Sequence, residues 1–100
     1  MRLLIDDTRD ETHVSCALHM IARNYFAGIT ALTCGIKWEI LYLDHDLHTY
    51  DDDSREWTGY DIMLFLENNP QFLPKKIICV SSNPPGRARI EQVIEKLYGS

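Results

Sequence analysis

Two acidic groups in this chain could do chemistry together: Asp6-Asp7 and Asp44-His45-Asp46. Each closes a short apolar run, residues 2–5 in one case and 39–43 in the other. Neighbouring strands of a parallel sheet place such ends side by side, and ligands bind outside those ends. Asp6, Asp7, Asp44 and Asp46 would then converge on one hard divalent cation, which takes oxygen ligands. Crowded carboxylates repel one another and a cation relieves that repulsion. Magnesium or manganese is therefore the expected cofactor, and phosphate the expected co-ligand. Asp44 and His45 are the catalytic candidates. His45 could shuttle a proton or simply hydrogen-bond within its loop. The plainer alternative is that acids mark where strands enter solvated loops. Two acidic strand ends expected to be neighbours favour the site.

A second constellation is Ser81-Ser82-Asn83-Pro84-Pro85-Gly86-Arg87. It follows an apolar run and opens a helical pattern, so its backbone amides are expected to face an anion. Its hydroxyls and Arg87 would add phosphate contacts, although Arg87 and Arg89 could equally balance Glu91 and other acids. Asn83 suits an N-cap and Pro84 a first helical position.

The elements that must position these residues alternate in type. Residues 2–5, 39–43 and 77–80 read as buried strands. Val14, Ala17, Leu18, Ile21, Ala22 and Tyr25 fall on one helical face, with acids near its start and Gly28 as a stop. Residues 29–36 are ambiguous between a strand and a helical turn. Residues 48–57 are polar and read as an exposed loop, with Asp51-Asp52-Asp53 at its tip. A calcium loop there lacks the mid-loop glycine and the later glutamate. Thr58-Gly59-Tyr60-Asp61 is a capping box that starts a helix ended by Asn68-Asn69-Pro70. Ile90, Val93, Ile94 and Leu97 form the face of a last helix. The expected fold is a doubly wound α/β sandwich of flavodoxin or receiver type. It would have about four mainly parallel strands in the order 2-1-3-4, with helices on both faces.

Composition bounds the rest. One hundred residues, 45% of them hydrophobic, suit a single domain over 1–100. A net charge of −5 argues against non-specific nucleic-acid binding and against anionic membrane surfaces. No apolar run approaches the roughly 20 residues of a membrane span. The start turns acidic too soon for a signal peptide. Cys16, Cys34 and Cys79 are odd in number and widely spaced, as expected of unpaired thiols in a reducing cytoplasm. His13, His19 and His48 read as surface residues.

An acidic pair after the first strand, an aspartate after the third and Ser/Thr after the next resemble the active-site layout of response-regulator receiver domains. The resemblance implies that Asp6 and Asp7 hold metal, Asp44 is acceptor-like and Ser81 or Ser82 is a switch hydroxyl. A full receiver has a further strand carrying a lysine, for which this sequence has no counterpart. A closer resemblance is to cyclic-phosphate processing receiver domains. It rests on Asp6-Asp7-Thr8-Arg9, Leu43-Asp44-His45-Asp46-Leu47, Thr58-Gly59-Tyr60-Asp61 and the 81–87 segment, in order. It implies metal-dependent processing of a cyclic or terminal phosphate on a nucleotide or RNA end. Arg9, Thr58, Ser81, Ser82, Asn83, Gly86 and Arg87 become the phosphate-binding candidates. Val80 stands where that family's pattern has a histidine before the serine. A phosphoesterase, a non-catalytic module that sequesters a phosphorylated ligand and a protein-binding regulator all remain open. Tyr50 and Trp57 would suit a protein partner in the last case.

Overall fold

The computed structural model describes residues 1–10 and 18–99. Its main sheet has four parallel strands: β1 (Arg2–Ile5), β2 (Met20–Ala22), β3 (Ile40–Leu43) and a last strand, Lys76–Cys79. Their spatial order places β1 and β3 in the middle, with β2 beside β1 and the last strand beside β3. This is the expected 2-1-3-4 order of a receiver-like α/β fold. The registers Ile5↔Leu43 and Leu43↔Cys79 align three strand ends. The next residues, Asp6, Asp44 and Val80, therefore leave the sheet at one level. The backbone carries that level one residue further, since Asp44 N donates to Ile5 O and Val80 N to Leu43 O.

Side chains alternate across the pleat. Leu3, Ile5, Leu41, Leu43, Ile77 and Cys79 share the core with helices α1 (Tyr25–Thr33), α2 (Gly59–Asn68) and α3 (Pro84–Tyr98). Those helices contribute Ala31 and Leu32, Ile62, Met63 and Leu66, and Ile90 and Val93 respectively. Leu4 and Tyr42 alternate to the opposite face and are also buried. Among the described residues no helix is long and apolar enough to cross a membrane.

Three sequence expectations are corrected. Met20, Ile21 and Ala22, read as helical, form β2, because backbone pairing with Leu3, Leu4 and Ile5 overrides an apolar spacing that also fits a helix. The earlier part of that expected helix, residues 11–17, lies outside the described residues. The ambiguous 29–36 segment belongs to α1 up to Thr33. That helix starts at the Asn24 cap, whose side chain accepts from Ala27 N, so Gly28 is interior and not a stop. The 48–57 loop contains a two-stranded antiparallel hairpin, β4 (Thr49–Tyr50) and β5 (Glu56–Trp57). Asp51 organises its turn by accepting from the amides of Asp53 and Arg55 and from the Trp57 indole. The last sheet strand is accordingly β6. The Thr58 capping box and the Asn83 cap form as the sequence predicts.

Candidate metal and phosphate site

Oxygens of Asp6, Asp7 and Asp44 all lie within 4.8 Å of one another. Asp6 and Asp44 are buried and Asp7 is partly exposed. Such a donor set, made of carboxylate oxygens alone, fits a hard divalent cation.

Each carboxylate is differently held. Asp6 Oδ1 accepts from the amides of Thr8 at 2.9 Å and Arg9 at 3.0 Å. Its Oδ2 accepts from Arg9 Nη1 at 2.8 Å. Burial by itself would raise the Asp6 pKa, but those hydrogen bonds and the arginine charge outweigh it, and the net direction is down. Asp44 is the reverse case. Burial first, and the charge of Asp6 second, push its carboxyl up; Arg9 and the Ser81 hydroxyl offset only part of this. Asp7 Oδ2 is bonded by His48 Nδ1.

Arg9 is the hub. Its Nη1 also lies 3.4 Å from Asp44 Oδ2, and its Nη2 donates to Ser82 Oγ at 3.2 Å. One guanidinium thus joins two buried acids to the loop after β6. Arg23 supports it from behind, with Nη1 donating to Arg9 O at 2.5 Å. A cationic group already seated between Asp6 and Asp44 shows that this place favours positive charge.

Asp46, expected among the metal ligands, stands outside this group. Its Oδ1 lies 2.9 Å from His45 Nδ1 and accepts from Asn83 Nδ2 at 3.2 Å. The alternation expected for 44–46 fails because strand pairing ends at Leu43 and the chain bends at His45. His45 is packed under α3, with Nδ1 engaged by Asp46 and Nε2 buried without a hydrogen-bond partner.

Two glycines make this packing possible. A Cβ on Gly86 would lie 2.4 Å from His45 Cγ, and one on Gly59 would lie 2.0 Å from the Asp44 carbonyl oxygen. Gly59 N in turn donates to His45 O at 2.8 Å. The Thr-Gly-Tyr-Asp motif therefore clamps the backbone that carries Asp44. Thr58 itself is used as the cap of α2, bonded to Tyr60 N and Asp61.

The 81–87 segment does not present a row of free amides. Pro84 and Pro85 have no N–H. Asn83 N donates to Ser81 Oγ, Gly86 N to Asn83 Oδ1 and Arg87 N to Asn83 O. The Arg87 side chain reaches Glu91, at 3.5 Å. Of the expected phosphate contacts, Arg9 and Ser81 touch the acids directly and Ser82 is joined to them through Arg9. Clefts also lie elsewhere. One of about 390 Å³, lined by Leu32, Ile36, Trp38 and Phe72, is near the residues that lead into β3 and β6.

The order of motifs and this geometry agree with a comparison of the whole chain. A family model described as cyclic-phosphate processing receiver domain matches residues 1–96. The chain belongs to the cyclic-phosphate processing receiver domain family. No curated protein and no solved structure matches it. In this receiver-like domain the acidic pair of β1 and the first acid of β3 form the common centre. His48, read as a surface side chain, is exposed and also meets Asp7. No local pattern points to it: it meets Asp7 across 41 positions of chain.

Proposed function

We propose that this domain holds a magnesium or manganese ion through Asp6, Asp7 and Asp44 and binds a cyclic or terminal phosphate of a nucleotide or RNA end beside it. The observation that carries the reading is the convergence of those three carboxylates, bridged by Arg9 to Ser82. When bound, the ion would supply Lewis-acid polarisation of a phosphoryl oxygen and a lowered pKa for its water. Arg9 offers the phosphate a planar fork of donors already held in place by Asp6. Ser81 orients Asp44 by hydrogen bonding, and Ser82 adds a hydroxyl at the rim. The family name supports cyclic phosphates as the substrate class, with hydrolysis the reaction.

A second reading is a binding module without turnover. One observation favours it: the enclosed Nε2 of His45 and the engaged Nδ1 leave that ring poorly placed to shuttle a proton. Val80, in place of the family's histidine, points the same way.

Incubation with 2',3'-cyclic nucleotides and cyclic dinucleotides, with added magnesium or manganese, separates the readings. Turnover that is lost in Asp44→Asn supports processing. Metal-dependent binding by calorimetry without turnover supports the module. Neither turnover nor binding across that panel would remove both.

A further inference from the structure

His48 has a backbone that its residue type does not prefer and a side chain that the core does not use. Its φ is +49°, in the left-handed region. There a residue with a Cβ is strained relative to glycine. Its neighbours hold it there. Leu47 is buried in the core, and Thr49 Oγ1 accepts from Tyr25 N while donating to Leu47 O.

The side chain is 67% exposed, so packing does not account for it. Its Nδ1 meets Asp7 Oδ2. A carboxylate only accepts, so Nδ1 carries the hydrogen and donates. An exposed pair of this kind contributes little to stability. The contact is therefore poorly explained as a stabiliser of the fold. It is well explained by what it does to Asp7. Asp6 is fixed by two amides and Arg9, and Asp44 by Arg9 and Ser81. Asp7 is the partly exposed member of the trio. His48 holds its Oδ2 and so restrains the carboxylate that completes the trio.

We infer that His48 is a positioning residue of the cation site, fixing the Asp7 carboxylate in the orientation that a divalent ion needs. This rests on the proposed metal site. Outer hydrogen-bond partners of metal ligands typically change affinity by about 10–100-fold when removed.

The test uses the full chain, MnCl2 as the probe, calorimetry as the readout and no substrate. His48→Gly relieves the backbone and removes the donor. His48→Asn also accepts the left-handed backbone, and its Nδ2–H can stand in for the Nδ1–H of the imidazole. His48→Gly is expected to stay folded, with a melting temperature no lower than wild type, and to bind Mn2+ at least about tenfold more weakly. His48→Asn is expected to recover most of the affinity. Equal affinity in wild type and His48→Gly, or equally weak binding in both variants, overturns the assignment of His48 while the metal site stands. Absence of Mn2+ binding by the wild type overturns the site and this assignment together.

Discussion

The guanidinium of Arg9 lies 2.8 Å from Asp6 and on the same nitrogen 3.4 Å from Asp44, so one arginine shares its charge between two buried acids that repel each other. A cation entering between those acids has to share the space with it. Arg9→Gln is therefore expected to bind Mn2+ more tightly than wild type, and to bind a cyclic nucleotide more weakly because the phosphate loses its fork. Calorimetry with the ion alone, then with the nucleotide, measures both. Arg87→Ala, whose side chain pairs with Glu91, should leave both affinities close to wild type. Weaker Mn2+ binding in Arg9→Gln would mean that Arg9 builds the cation site and does not compete for it.

Asp6 and Asp44 are expected to respond to neutralisation with opposite signs. Asp6 is held below its usual range, so its charge contributes stability above about pH 3.8, and that contribution is lost as pH falls through the lower folded value. Asp44 is pushed above the same value, so its contribution is fully present below it and is lost as pH rises through the folded pKa. At neutral pH, without metal, Asp6→Asn should destabilise by about 2 kcal/mol, since hydrogen bonds to a charged group are broken. Asp44→Asn should raise the melting temperature. Thermal unfolding of both variants across acid and neutral pH checks the signs; a destabilised Asp44→Asn would contradict this account.

Metal should stabilise by mass action. At a free ion concentration about 100 times Kd the gain is roughly 2.7 kcal/mol. Wild type should show that gain with MnCl2 and lose it with chelator. Asp44→Asn, more stable to begin with, should gain little. A melting curve indifferent to the ion in wild type would count against the site.

Gly59 should be intolerant of a side chain. A Cβ there would lie 2.0 Å from the Asp44 carbonyl oxygen, a backbone atom of the site itself. Gly59→Ala is expected to cost on the order of 3 kcal/mol. At Gly86 the first obstacle is Cγ of the packed His45 ring, a side-chain atom that yields more than backbone does, so Gly86→Ala should cost somewhat less, about 2 kcal/mol. Denaturant titration of both variants ranks them, and the reverse order would contradict the packing described.

Where sequence reading succeeded and failed has a physical pattern. Leu3-Leu4-Ile5 and Leu41-Tyr42-Leu43 are buried on both faces of a parallel sheet, and continuous apolar runs of that length have few other uses. The caps at Thr58 and Asn83 are local chemistry and were equally legible. The Met20–Ala22 strand was not, because three residues carry too little periodicity to outvote the helical spacing of apolar residues expected around them. Asp46 shows the same limit in the site. Its spacing from Asp44 suggested a shared side, yet a bend at His45 gave it to Asn83 instead.

The amino-acid sequence by itself determined the α/β class and which acids lie at strand ends, since hydrophobic patterning and capping act over short distances. Tertiary structure decided which of those acids meet, that Arg9 stands among them, and that His48 reaches Asp7. These contacts join residues from separate strands and loops, and their distances are set by strand register and helix packing, which no local segment encodes.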